Sequence, residues 1–310
     1  MKTEELASEW SDLLVTEGAE PLVTYRSGLV VYEESLTDGR FVGRGWNAAG
    51  YVNFYDGRLD PSQHPMPQAF CLEMDGQSLT WDWEWQGLEE IPVSDTGKGA
   101  RHVTISLRHQ VRPVQVRIHT KLDGTAILTR WLEVTNTGRE PATLSAVASW
   151  SGVLQKTNRW RSHLGESGLP LYSIGYFANT HWGNEGDFQW FNLPQAGYRV
   201  DGRYRRDRHR HPMVVVRNNA TGEHFIWQLA WSGGYSFEFD LDADAGTGDQ
   251  AARLCFRAGP DAPAPLRLIA PGETVSTPEV HLGAVFGDLD TTIQAIDRKS
   301  TRLNSSHRIR

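Results

Sequence analysis

The stretch HVTISLRHQVRPVQVRIHTKLDGTAILTRWLEV, residues 102–134, decides the fold. Val103, Ile105 and Leu107 alternate with polar residues, and after a break at Pro113 the pattern resumes at Val114, Val116 and Ile118. A period of two puts one side of an extended chain in a core and the other in water, which is the mark of a strand. Leu122-Asp123-Gly124 then turns the chain into TAILTRWLEV, because Asp-Gly accepts the positive backbone angles that a tight hairpin needs. Strands joined in this way form an antiparallel meander.

The alternation recurs outward from that stretch. LTWDWEWQG (79–87), MVVVRNN (213–219), HFIWQLAWSGG (224–234) and YSFEFDLDADAG (235–246) all carry it, separated by clusters of Gly, Pro, Asn and Asp. Turn signals come at intervals of about ten residues, as in large antiparallel sandwiches. Neither a regular alternation of strand and long helix nor a fixed repeat is present. The expectation is an all-β chain forming one large antiparallel β-sandwich over residues 25–287. Residues 1–24 form an N-terminal segment with a short helix, on one face of which Leu6, Trp10, Leu13 and Leu14 fall. At 288–296, DLDTTIQAI has an Asp cap and helical apolar spacing, so a helix starts there.

Composition excludes several functions. The 310 residues carry a net charge of −7, but the last fourteen, DRKSTRLNSSHRIR, hold five Lys or Arg and one acid. The body before them has 26 basic and 37 acidic residues, or −11, which argues against nucleic acid as a partner. The local exception, RYRRDRHRHP (203–212), reads as a solvated loop or strand edge. Two cysteines, Cys71 and Cys255, are too few for a disulfide framework and imply reduced thiols. The acidic N-terminus lacks the cationic region and apolar run of a signal peptide, and no segment has membrane-spanning length, so a cytoplasmic protein is expected.

Residues that tempt toward chemistry mostly have a structural reading. In WDWEW, Trp81, Trp83 and Trp85 share one strand face and fill the space between sheets, while Asp82 and Glu84 lie on the other. A retaining glycosidase needs two carboxyl groups facing each other across about 5 Å, which positions two apart on one strand do not supply. FDLDADAGTGD lacks the Gly and Glu of a calcium loop, having Ala245 and Ala251 there; Phe237, Phe239 and Leu241 point inward instead. His209 and His211 lack a third ligand, and Asn219-Ala220-Thr221 is a silent glycosylation pattern. Neither a metal site nor a cofactor site is expected.

RWLEVTNTGREPATLSAVASW (130–150) resembles the N-terminal domain of glycoside hydrolase family 36, the α-galactosidases, which carry a similar Arg-x5-Asn-x-Gly strand and turn. DPSQHPMPQAFCLEMDG (60–76), FIWQLAWSGGYSFE (225–238) and APGETVSTPEVHLGAVFGDLDTTIQAI (270–296) resemble further family stretches in the same order. Trp231 stands where the family often has Tyr, and Gly234 where it often has Asn. The resemblance implies a galactose-mutarotase-like supersandwich, followed in family members by a (β/α)8 barrel with two catalytic Asp residues. Barrels take about 250 residues, and none follow Ile296 here. Residues 297–310 resemble a translated sequencing adapter and are expected to be non-native.

On that resemblance the chain is the non-catalytic sandwich of a retaining α-galactosidase-like hydrolase. It would dock the barrel, support a homo-oligomer, and meet a galactoside only through the barrel. Asp60, His181 and Trp182 are the candidate substrate-binding loop residues, and no catalytic residue is assigned. The alternative is a stand-alone carbohydrate-binding or mutarotase-like module. It requires a concave face on which a His and a carboxylate converge, for example His181 with Glu279.

Overall fold

The computed structural model describes residues 10–50, 67–93, 99–157, 170–178, 183, 186–194, 197–203, 210–242 and 252–297. Strands β1 (Ser11–Thr16), β2 (Leu22–Ser27), β3 (Val30–Thr37) and β4 (Arg40–Asn47) form a sequential antiparallel sheet. Next come β5 (Cys71–Met74), β6 (Gln77–Ser78), β7 (Trp83–Ile91), β8 (Arg101–His109), β9 (Val114–Leu122) and β10 (Ile127–Asn136). They are followed by β11 (Ala142–Ala148), β12 (Trp150–Thr157), β13 (Tyr172–Phe177), β14 (Phe188–Asn192), β15 (Tyr198–Gly202) and β16 (Met213–Asn218). The rest are β17 (Glu223–Leu229), β18 (Tyr235–Asp242), β19 (Ala252–Pro260), β20 (Arg267–Ile269), β21 (Thr274–Ser276) and β22 (Val280–Phe286).

One layer is a large sheet of order β14-β13-β16-β17-β22-β10-β9-β8-β7, with β21 also paired to β10. Three four-stranded sheets face it: β1-β2-β3-β4, β20-β11-β5-β6 and β12-β19-β18-β15. A single apolar core holds side chains from all four sheets. Trp227 of the large sheet lies 5.0 Å from Phe239 and 5.4 Å from Phe256 opposite. Phe70 bridges Phe41 at 6.3 Å and Trp83 at 5.3 Å. The fold is therefore the expected supersandwich, and the meander of 102–134 is its β8-β9-β10 portion.

The N-terminal helix is a correction. Leu13 and Leu14 lie in β1, paired with Tyr25 and Thr24, while Leu6 is outside the described residues. Backbone pairing with β2 outweighs a short run of helical spacing, since an isolated helix of that length has too few hydrogen bonds to offset its nucleation. The strand order also carries the sandwich back across residue 25, because β1 and β2 belong to the same sheet as β3.

Trp81 is a second correction. Asp82 has a φ of 65°, which ends the strand, so Trp83 is buried and Trp85 half-buried but Trp81 turns outward. The Arg40 guanidinium stacks 4.5 Å above its ring.

The Asn136–Gly138 turn forms as expected. Asn136 is buried; its Oδ1 accepts from Gly138 N at 2.9 Å and its Nδ2 donates to Glu140 O and Ile269 O at 2.8 and 3.1 Å. The returning strand β11 does not pair with β10. It crosses to β5 and β20 in another sheet, so this turn connects the two layers. A helix over 289–297 is capped by Asp288, whose Oδ1 accepts from Thr291 N at 2.8 Å. Its Leu289, Ile293 and Ile296 pack on Ile127, Met213, Val215 and Ile226 on the outer face of the large sheet.

Candidate functional site

A groove runs along the outer faces of β18, β19 and β11. It consists of adjoining hollows of about 710, 330 and 640 Å³ that share lining residues. Strand alternation builds its charged part: with Phe237, Phe239 and Leu241 in the core, Glu238 and Asp240 face out, as do Arg257 and Cys255 of the neighbouring strand. Arg199 Nη1 lies 2.8 Å from Glu238 Oε1 and its Nη2 lies 2.8 Å from Asp261 Oδ2. Arg257 approaches the other Glu238 oxygen at 3.9 Å. Both Glu238 oxygens thus face guanidinium groups, an arrangement suited to fixing positions and poor for proton transfer.

Both cysteines line this groove, half-buried and reduced. Cys71 Sγ is 3.6 Å from Ser151 Oγ, and burial pushes its thiol up, against the lowering effect of Arg257. A thiol raised in this way is a weak nucleophile at neutral pH. No histidine is among the described residues that line the groove.

The histidines gather elsewhere, on the outer face of the large sheet. His102 Nε2 lies 3.0 Å from His119 Nδ1, and Thr104 Oγ1 lies 3.1 Å from the same nitrogen. His119 Nε2 is 3.1 Å from Glu133 Oε2, and its ring stacks on Trp131 at 4.6 Å, 2° from parallel. Burial lowers both imidazoles, His102 to about 4, so both are neutral near pH 7 and act as hydrogen-bonding packing pieces. Glu279 joins the edge of this layer: its Oε2 is 4.0 Å from His281 Nε2 and its Oε1 is 3.9 Å from Lys121 Nζ. Thr129 Oγ1 is 2.9 Å from His281 Nδ1.

Asp60, His181 and Trp182, the loop residues proposed from sequence, lie outside the described residues. So do His209, the possible calcium-loop positions Ala245 and Ala251, and the tail 298–310. Glu279 pairs with His281, a partner that sequence reading missed. The signal was present in STPEVHLGAV, where Glu279 and His281 are two apart on an alternating strand. The His102–His119 contact had no such signal, because only the register Lys121↔His102 and His119↔Thr104 brings the rings together. No group of three or more potential metal ligands occurs among the described residues, and no helix among them is long and apolar enough to cross a membrane.

No protein-family model matches the chain, and no curated protein matches it in sequence. Solved structures do match its fold. An α-galactosidase from Lactobacillus brevis superposes with a TM-score of 0.66 at 13% identity, over 93% of this chain and 41% of its own. A family 36 α-galactosidase variant from Geobacillus stearothermophilus, solved with raffinose, gives 0.63 at 16% identity over 88% of this chain and 42% of its own. The galactosidase domain of an α-galactosidase-sucrose kinase gives 0.62 at 16% identity, over 85% and 40%. The chain thus spans about two fifths of the length of these structures, and has the fold of their N-terminal β-sandwich domains.

Proposed function

We propose that this chain is the non-catalytic N-terminal sandwich of a cytoplasmic, α-galactosidase-like retaining glycoside hydrolase. Its catalytic barrel would be encoded beyond Ile296. The galactoside would bind through that barrel, with Asp60, His181 and Trp182 as loop residues at its rim and the sandwich supporting a homo-oligomer. The observation that carries this reading is the reach of the fold likeness: it takes in 85–93% of this chain but only 40–42% of each structure it matches. A fold that makes up about two fifths of each longer enzyme it matches is the arrangement expected of an accessory domain.

The test is an assay of the purified chain on p-nitrophenyl α-galactoside and raffinose, with galactose mutarotation followed in parallel by polarimetry. The expected result is neither hydrolysis nor faster mutarotation. Hydrolysis overturns the non-catalytic role, and accelerated mutarotation puts an epimerase in its place. One observation favours the second reading, a stand-alone carbohydrate-binding module: the long groove over β18, β19 and β11.

A further inference from the structure

The 640 Å³ hollow at one end of the groove differs from the rest of it. Its walls are apolar, from Leu144, Val147, Leu266 and Val275, and Trp231 stands at its side with 47% of its surface exposed. Trp231 lies two residues past the end of β17; its N donates to Leu229 O and Ala230 N donates to Glu279 O, both at 2.8 Å, so its backbone is anchored to the sheet. A Cβ on Gly233 would lie 2.4 Å from Trp231 Nε1, so the indole edge rests against bare backbone. Gly234 is equally required, since a Cβ there would lie 2.1 Å from Asp261 O. Gly233 thus seats a flat aromatic plate beside an open hollow, and Gly234 lets the Asp261 backbone approach it.

Polar groups stand around the plate. Asp261 uses Oδ2 on Arg199, and its Oδ1 has no partner among the described residues. Arg267 is 62% exposed and holds Glu273 through one nitrogen, Nη2 at 3.2 Å, so most of its donors face solvent. One carboxylate and one guanidinium balance in charge, whereas at the far end Arg40, Arg199, Arg253 and Arg257 outnumber Glu238 and Asp240. A pyranose has the complementary form, with an apolar C–H face and a rim of hydroxyls that must be paired once water is displaced. The volume is in the range of small-ligand sites.

We propose that the Trp231 hollow binds a neutral hexopyranoside, which stacks on the indole while Asp261 accepts from and Arg267 donates to its hydroxyls. This site is independent of any catalytic barrel, so its failure would leave the accessory-domain reading untouched. The test is the indole region of a nitrogen-15 correlation spectrum of the full chain, titrated with methyl α-galactopyranoside and with raffinose. Of the twelve tryptophan signals, one is expected to shift saturably, and that signal is missing in Trp231→Ala, which stays folded. Gly233→Ala displaces the plate and weakens binding by about tenfold without loss of fold. The proposal is overturned if no indole signal moves, or if the moving signal survives in Trp231→Ala. It is also overturned if the Trp231 line broadens with protein concentration in the absence of sugar, which would assign the hollow to a second copy of the chain.

Discussion

Two arginine–glutamate clusters on either side of the β12-β19-β18-β15 sheet use the same chemistry to opposite ends. In the core, Arg130 grips Glu34 through two nitrogens at 2.7 Å and reaches Thr120 at 2.9 Å, with all three residues buried from solvent. Tyr25 and Tyr32 donate their hydroxyls to Glu34 at 2.6 and 2.9 Å, and the guanidinium stacks 4.5 Å from Trp150. Burial raises the Tyr25 and Tyr32 hydroxyls well above their ordinary value, so they remain donors at any physiological pH. In the groove, Arg199 holds Glu238 at the same order of distance, yet both stand in water, 47% and 36% exposed. Burial therefore decides what an ion pair does. Sealed between sheets, it fixes how the layers join, and at the surface it leaves donors available to a ligand.

Breaking each cluster separates the two roles. Arg130→Ala leaves Glu34 charged and unpaired in the core and should destabilise the fold by about 3–5 kcal/mol in urea unfolding. The double change Arg130→Met with Glu34→Gln should cost less than Arg130→Ala, since it removes both charges and keeps an acceptor for Tyr25 and Tyr32. A double variant as unstable as the single one would mean that shape, and not charge, holds this region.

The closed side can be sharpened at Gly43, where β4 meets β12. A Cβ there would lie 2.9 Å from Gly152 Cα and from Ser151 O, both backbone atoms that cannot turn aside. Gly43→Ala should cost about 1–3 kcal/mol, read as a lowered melting temperature.

Glu223 is an intermediate case, buried but without a cation. It accepts from Ala48 N at 3.0 Å and Gln155 Nε2 at 2.6 Å, and burial raises its carboxyl from 4.5 to about 7. Because the folded value is the higher one, its contribution is complete below pH 4.5 and is lost as pH rises through about 7. His102, lowered from 6.5 to about 4, contributes in the opposite sense, its stability being present above 6.5 and lost as pH falls through about 4. Comparison with Glu223→Gln isolates the carboxyl. The difference in unfolding free energy between the two proteins should change by roughly 1–2 kcal/mol from pH 5 to pH 8, to the detriment of the native protein. A parallel pair of profiles would place Glu223 in water.

The smallest effect belongs to the groove. Glu238→Ala should change stability by no more than about 1 kcal/mol, because it is a surface pair screened by solvent. A loss as large as that of Arg130→Ala would show that the two clusters do not differ as described.

Much of this was legible in the sequence, and the reasons are local. Val103, Ile105 and Leu107, and later Phe237, Phe239 and Leu241, announce their inward faces through period two, and the structure buries all six. Arg130 could have been found as well: it falls in register with Leu128, Leu132 and Val134, an inward position that a cation occupies only with a partner. Its partner Glu34 was not legible, since the pair is ninety-six residues apart in sequence. The groove escaped for the same reason, as it joins Trp231 after β17, Glu238 in β18 and Asp261 after β19. The helix expected around Leu13 and Leu14 failed because helical spacing of so few apolar residues is a weak signal, and pairing with β2 instead sets the two on opposite faces, Leu13 against the core and Leu14 exposed.

The central claim is that the sandwich is the leading part of a longer hydrolase, and the direct test is long-read sequencing of the source DNA across codon 296. The account predicts a reading frame that continues into alternating strands and helices with two Asp residues at strand ends. A stop directly after the codon for Arg310 would contradict it.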